Sequence, residues 1–365
     1  KILFLTDQTY LHGGVEKVLS IKANYFTEQG NEVCIFTTEQ KNKLTVYNLS
    51  ERIKCTDLSI NYTREKSYFH PFNLLKAYTH YRKLKKNIQE LKPDVIISSN
   101  YSFDFYFIPF IAPQIPKIKE FHSTQYREHH HASIKEKFMK FLDRWAQKRY
   151  HQLVVLNESE KKYFSINNVT VIPNPIETIE KKFKEESKIL LAAGRLSPVK
   201  NFGELIEIAK EVFTTFDDWQ LHIYGDDYCG TKEKLQNKIK KYNLENTVKI
   251  FSATQDFSSV LENTGIYVMT SHQECFPMVL LESLGLGIPI VSYNAPHGPQ
   301  YILADKKYLI DYGNRKDFIE KLRILMNSNE IRETYSQNSI KFAEKFTKHE
   351  IMKQWFSLFN ALKNV

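Results

Sequence analysis

The sequence predicts an α/β protein of two domains, each built on a parallel sheet, and three observations predict it. At 365 residues the chain exceeds what one ordinary core holds. Short apolar runs alternate with helical stretches along its length, the pattern of parallel strands covered by helices on both faces. A lysine- and glutamate-rich stretch at 177–188 reads as a solvated connection, and a new strand restarts the alternation at Ile189.

The elements follow in order. Residues 1–6 read as a strand, 15–29 as a helix closed by Gly30, and 32–38 as a second strand, which makes an opening βαβ unit. Strands at 94–99, 118–122, 152–157 and 169–173 complete the first half. The second half has strands at 189–193, 221–224, 248–252, 266–270 and 289–292, with helices between them. Three helices end the chain, the last carrying Trp355, Phe356 and Phe359. Two such domains are expected to face each other across a cleft at the carboxyl ends of their strands.

Composition narrows the class. The chain is 42% hydrophobic and 13% aromatic, enough for a real core and too much for a disordered protein. No apolar run approaches the roughly 20 residues that cross a bilayer, and the first strand is too short for a signal-peptide core. Four scattered cysteines, Cys34, Cys55, Cys229 and Cys275, fit a reduced cytoplasmic protein better than a disulfide framework. The net charge of +9 favours anionic partners. It is concentrated early, at Arg82, Lys83, Lys85 and Lys86, and again at Lys137, Lys140, Arg144 and Lys148. In the second stretch Ile134, Phe138, Phe141 and Trp145 have helical spacing. The expectation is a surface helix with that stripe in the core. The alternative is a peripheral contact with an anionic membrane through a basic amphipathic face. No nucleic-acid-binding module is recognisable.

The most informative stretch runs from Glu274 to Glu282. The buried-strand run at 266–269 precedes it, Pro277 is expected at the first helical position, and Gly287 closes the helix. Glu274 then lies beside the helix mouth and Glu282 more than a turn inside. The amides of Met278, Val279 and Leu280 lack intrahelical partners, and with the helix dipole they suit an anion such as diphosphate. Two acids flanking an anion site make sense if each grips neutral hydroxyls with the anion between them. Sugar hydroxyls, diphosphate and ribose hydroxyls have that layout in a sugar nucleotide.

Other candidates fall at strand ends. Gly13 and Gly14 lie between the first strand and first helix, where glycine lets backbone approach a ligand. The spacing is not that of the dinucleotide fingerprint, and Glu16 complements the helix dipole. Arg195 and Lys200 follow the first strand of the second half and suit a diphosphate, Arg as a fork and Lys as a point charge. His122 ends a strand of the first half and is able to bond a sugar hydroxyl or handle a proton. The run His129, His130, His131 points in different directions on a helix and reads as solvated. Asp226 and Asp227 are adjacent rather than spaced for a metal–diphosphate motif, so no metal site is expected.

With these parts in place, the chain resembles the family 4 glycosyltransferases of the GT-B fold, retaining enzymes that use nucleotide sugars. The resemblance covers essentially the whole chain. It rests on Gly13, Gly14, Val15 and Glu16; on His122; on the run Val171, Ile172, Pro173, Asn174, Pro175; on Gly194, Arg195 and Leu196 with Lys200; on Tyr224, Gly225 and Asp226; and on Glu274 and Glu282 with seven residues between. It implies two Rossmann-like domains facing across a cleft. Residues 1–172 would form the acceptor side, completed by a helix at 349–365 that crosses back, and 173–348 the donor side.

The resemblance also implies roles. Arg195 and Lys200 bind the donor diphosphate with the amides of Gly14, Val279 and Leu280. Glu274 holds hydroxyls of the transferred sugar, Glu282 those of the ribose, and His122 the sugar near its 6-position. The backbone at Phe251 and beyond meets the base, expected to be uracil. No cofactor or metal is implied. The acceptor is a saccharide or a lipid-linked saccharide, and the enzyme is expected in the cytoplasm, with peripheral contact at the inner face of the membrane as the alternative. Cys275 and Pro277 stand where many relatives carry glycines, and Ser123 where many carry an acid. Pro296, His297, Gly298 and Pro299 resemble a subgroup acting on cell-surface glycans. Two alternatives stand beside this reading. One is a non-hydrolysing sugar-nucleotide epimerase, for which His122 and Asp104 are weak proton handlers. The other is a glycan- or nucleotide-binding subunit without catalysis.

Overall fold

The computed structural model describes residues 1–67, 69–99, 102–125, 134–164, 166–177, 179–180, 184–296 and 298–363, with the backbone alone at 134–136. The histidine run at 129–131, His297 and part of the 177–188 connection lie outside the described residues. The chain divides into two compact units, Lys1–Pro175 with Ile351–Val365, and Ile176–Glu350.

The first unit holds β1 (Ile2–Thr6), α1 (Gly14–Glu28), β2 (Val33–Thr37), β3 (Lys54–Asp57), α2 (Pro71–Leu91), β4 (Val95–Ser98), β5 (Lys117–Phe121), α3 (Ile134–Gln147), β6 (Gln152–Val155), α4 (Glu158–Lys161) and β7 (Val169–Val171). The second holds β8 (Ile189–Ala193), α5 (Phe202–Val212), β9 (Gln220–Tyr224), α6 (Thr231–Lys241), β10 (Val248–Phe251), α7 (Phe257–Glu262), β11 (Ile266–Met269), α8 (Met278–Gly285), β12 (Ile290–Tyr293), β13 (Leu309–Ile310), α9 (Arg315–Asn327) and α10 (Asn329–Ala343). The last helix, α11 (Lys348–Lys363), places Ile351, Met352, Trp355 and Phe359 in the core of the first unit.

Both sheets are wholly parallel. The first runs β3-β2-β1-β4-β5-β6-β7 and the second β10-β9-β8-β11-β12-β13. In each, strand order reverses once, between β1 and β4 and between β8 and β11. Such a switch point is where the loops leaving two neighbouring strands diverge and open a crevice. Alternate residues of β1 serve the two faces of the first sheet. Ile2 and Phe4 pack with α1 and α11, while Leu3 and Leu5 pack with Leu84 and Ile88 of α2 and Ala146 of α3. Burial on both faces explains why the central strands read as unbroken apolar runs.

Two strands escape the sequence reading. β3 is Lys-Cys-Thr-Asp and is largely exposed at a sheet edge. β13 is two residues long at the other sheet's edge. β3 lacks an apolar run, because an edge strand needs ladder bonds more than burial, and β13, Leu309 and Ile310, is too short for its apolar pair to read as a strand.

The structure overturns the expected placement of the α3 stripe. Phe138 and Phe141 are 58% and 63% exposed rather than in the core. The helix packs inward through its last turn, where Ala146 and Gln147 are buried and Trp145 is partly buried. Asp143 also turns inward, accepting a bond from the Tyr106 hydroxyl at 2.7 Å. Apolar spacing shows that residues share a side of a helix, not that the sheet lies on that side.

Trp355 is 2% exposed and stacks over buried Lys22 at 4.5 Å. Trp355→Ala is expected to destabilise the first unit by about 3–5 kcal/mol. Urea unfolding against the parent measures it, and an unchanged midpoint would contradict this packing.

Candidate active site

The second sheet's switch point gathers the charged candidates. The loop leaving β8 carries Gly194, Arg195 and a single 3₁₀ turn, Pro198–Lys200, then enters α5 through Asn201 in the left-handed region. The loop leaving β11 carries Thr270, Ser271, His272 and Glu274 and enters α8. Cross-bonds sew the two loops together. The Thr270 hydroxyl donates to the Asn201 carbonyl at 3.1 Å, and the His272 amide donates to the Val199 carbonyl at 2.8 Å. The result is an ion pair across the crevice, Lys200 Nζ to Glu274 Oε1 at 2.6 Å, with side chains 21% and 11% exposed. Gly194 makes room for it. Its φ is +149°, and a Cβ there would meet Lys200 Cε at 2.7 Å.

Glu274 is fixed from the other side by Gly298, whose amide donates to the Glu274 carbonyl at 3.1 Å. A Cβ on Gly298 would lie 2.3 Å from the Cys275 carbonyl oxygen, a backbone clash with no flexible atom to yield. The sequence reading noted Gly298 only as part of a subgroup pattern.

The mouth of α8 differs from expectation in two respects. Pro277 is the N-cap, with φ −67° and ψ 121°, rather than the first helical residue, so the helix starts at Met278. The ring's fixed φ suits either position, and the extended ψ decides between them. Leu280's amide bonds the Pro277 carbonyl at 3.2 Å, a tightened first turn that occupies one of three expected anion-binding donors. Met278 and Val279 carry the remaining amides. Glu282 sits half-buried on α8. Burial pushes the Tyr267 phenol well above its ordinary value, and the nearby charges of Glu274 and Glu282 push it further, against its bond from the Ala193 amide. Both acids therefore lie close to one buried tyrosine under the crevice.

The other second-unit candidates spread out. Arg195 is exposed, its guanidinium 5.4 Å from the Tyr228 ring centre. The Phe251 ring is exposed and stacks on Tyr224 at 4.6 Å, an aromatic shelf at the end of β10. Its carbonyl accepts from the Gly225 amide at 3.0 Å. Asp226 and Asp227 serve as loop staples, accepting from the amides of Ala253 and Lys232 at 3.1 and 2.8 Å.

In the first unit, Gly13 is the N-cap of α1 and Gly14 its first residue. Glu16 folds back over Gly13, where an added Cβ would meet its carboxylate at 2.0 Å. Gln8 donates to that carboxylate. The α1 mouth thus carries its own anion, as its dipole favours.

His122 follows β5 with its side chain 7% exposed and Nε2 3.7 Å from Glu120 Oε2. Glu120 is buried, paired with Lys22 and accepting from the Ser99 hydroxyl at 2.7 Å. Burial alone would raise its carboxyl, but Lys22 and then His122 overcome that and hold it well below the carboxylate range. The sequence reading missed this anchor, although a strand reading Lys-Ile-Lys-Glu-Phe between apolar neighbours was its signal.

Two parallel sheets of seven and six strands, each with one switch point, define an α/β architecture of two Rossmann-like domains. Residues 12–180 match the model of Glycosyltransferase Family 4, and residues 175–342 that of Glycosyl transferases group 1. The chain belongs to the family 4 type of glycosyltransferases, on the GT-B fold. It is 32% identical over 221 residues to the amylovoran biosynthesis glycosyltransferase AmsD of Erwinia amylovora, a match covering 57% of this chain and 62% of that protein. The matched region therefore spans less than two thirds of that relative's length. An uncharacterized glycosyltransferase of Haemophilus influenzae is 27% identical over 94% of this chain and 95% of its own. Among solved structures, S. aureus TarM in complex with fondaparinux, α-GlcNAc-glycerol and UDP superposes with a TM-score of 0.81 at 16% identity, covering 98% and 99% of the two chains.

Glu120→Gln leaves the buried Lys22 charge uncompensated, and a loss of about 3–5 kcal/mol is expected in denaturant unfolding. The sign with pH follows. Glu120 has a depressed folded value, so its contribution is full above the unfolded carboxylate value of about 4.3 and declines as pH falls below it. Glu120→Gln should flatten that acid limb; an unaltered limb would contradict the pairing.

Proposed function

We propose that the chain moves a hexosyl or N-acetylhexosaminyl unit from a UDP-linked sugar, with retained configuration, to a saccharide or lipid-linked acceptor in cell-surface glycan synthesis. The observation that carries this reading is the Lys200–Glu274 pair at the β8/β11 switch point, beside the free amides of α8. The amylovoran relative supports the glycan setting, and the UDP in the TarM complex supports the donor class. On this reading the reaction runs in the cytoplasm, at the inner face of a membrane, and without a metal.

Charge explains the division of labour. Cleavage of the anomeric bond leaves positive charge on the sugar and a further negative charge on the diphosphate. Lys200, Arg195 and the Met278 and Val279 amides oppose the leaving-group charge. Glu274 turns from Lys200 to hydroxyls of the transferred sugar when the diphosphate takes the ammonium. Glu282 holds the ribose hydroxyls, and the Phe251 shelf lies where a base stacks. An acceptor hydroxyl then attacks the face the nucleotide leaves.

UDP release with a panel of UDP-sugars and saccharide acceptors tests the reading. Lys200→Ala and Glu274→Ala should each lower turnover by about a hundredfold or more. Near-normal turnover in both variants would refute the site. Scrambling of the donor sugar without acceptor would mark an epimerase instead.

Gly298→Ala should displace the Glu274 loop and lower turnover by about tenfold or more while the protein stays folded, since a 1 Å misplacement costs on the order of a hundredfold. Thermal unfolding alongside turnover separates the two effects.

A further inference from the structure

The exposed side of α3 has an unusual make-up. From Lys137 to its end at Gln147, every exposed side chain is either a cation or a phenylalanine: Lys137, Phe138, Lys140, Phe141 and Arg144. Asp143, the acid in that stretch, faces Tyr106 and is taken out of the outer surface. The surface continues past the helix. Arg149 lies over the Trp145 ring at 4.0 Å, and Trp145 packs against half-exposed Phe110 at 5.4 Å.

The neighbouring helix repeats the pattern. On α2, Phe72, Leu75 and Tyr78 recur every three residues and are 59%, 71% and 64% exposed. The exposed cations Arg82, Lys85 and Lys86 follow them on the next turns. Ala77, Leu84 and Ile88 of α2 share one core with Ala146 of α3 and with Leu3, Leu5 and Leu153 of the sheet. Both helices therefore cover the same side of the seven-stranded sheet, and their outer faces look the same way.

We propose that this outer face of α2 and α3 docks on an anionic lipid bilayer, with Phe138, Phe141, Phe72 and Leu75 entering the headgroup region and the flanking lysines and arginines meeting lipid phosphates. Scattered exposed apolar residues are ordinary. Here they are bordered by cations on long apolar stems, the composition of a helix lying in an interface. The outer face of a helix is convex and offers no pocket for a protein's anchor residues, whereas a fluid interface receives rings at any register. Anionic headgroups complement the described outer side of α3, where no acid is exposed from Lys137 to Gln147; on α2 the one exposed acid near the cations, Glu90, pairs with Lys86 at 3.8 Å in the last turns. The proposal deepens the membrane placement given above, but it uses none of the donor-site residues.

Flotation with vesicles of phosphatidylcholine mixed with phosphatidylglycerol tests it, with phosphatidylcholine alone as comparison. The parent should float with the mixed vesicles, bind neutral ones far less, and lose binding as salt is raised. Phe138→Ser with Phe141→Ser should weaken binding by about tenfold or more. Lys137→Glu, Lys140→Glu and Arg144→Glu together should weaken it by about a hundredfold. The charge-matched set Lys234→Glu, Lys240→Glu and Lys241→Glu on α6 should leave it near the parent's. Absent binding, equal binding to neutral vesicles, or equal loss in the α6 set would each overturn the proposal. So would a dimer, seen by sedimentation, that the two serine substitutions disrupt. Because flotation needs no turnover, failure here with intact UDP-sugar activity would sink only the docking face.

Discussion

A lysine and a glutamate from two loops 74 residues apart meet at 2.6 Å, and the organisation of the second unit serves that meeting. It requires β8 and β11 to be neighbours in a sheet whose order reverses between them. It requires the turn at Pro198–Lys200 to bring the ammonium back over the strand end, and Gly194 to leave space beneath it. It also requires the Glu274 loop to be held against Gly298. These are backbone conditions, and residues without side chains satisfy two of them. Each partner is partly shielded from water, which strengthens the pairing.

The sequence disclosed this arrangement because its chemistry is compact along the chain. Strand, acid, proline and helix follow within about twenty residues, and strand, arginine and lysine within about ten. Local order along a βα unit fixes which residues reach the strand's carboxyl end, so Lys200 and Glu274 were legible without coordinates. Arg195 was harder, since the same loop lets a side chain turn either way, and it lies over Tyr228. Leu280's amide was misread because tightening of a helix's first turn leaves no mark in residue identity. The strand β3 was missed because edge pairing needs backbone rather than apolar side chains, and β13 because two residues make no pattern. The α3 stripe was misplaced because periodicity is silent about which neighbour a face meets.

The first unit shows a different economy. Its histidine is held by a carboxylate that is itself held by a buried lysine capped by an indole. Buried charges of this kind contribute little net stability, yet removing one partner is costly. Their effect is geometric: the end of β5 has a single arrangement in which all partners are satisfied. That rigidity contrasts with the outer layer of the same unit, where α2 and α3 keep large rings in water.

The membership of α11 in the first unit has a consequence for synthesis. Residues 176–350 form a contiguous insert, while the unit around them needs segments from either side of it. On a ribosome the inserted unit has its full sequence before the outer one does. Until the indole emerges, the ammonium of Lys22 faces the growing core without its cover. Translation therefore delivers the whole 176–350 unit before the segment that closes the other, so a chain stopped between Glu350 and Trp355 would hold the former complete and leave the latter without its indole cover.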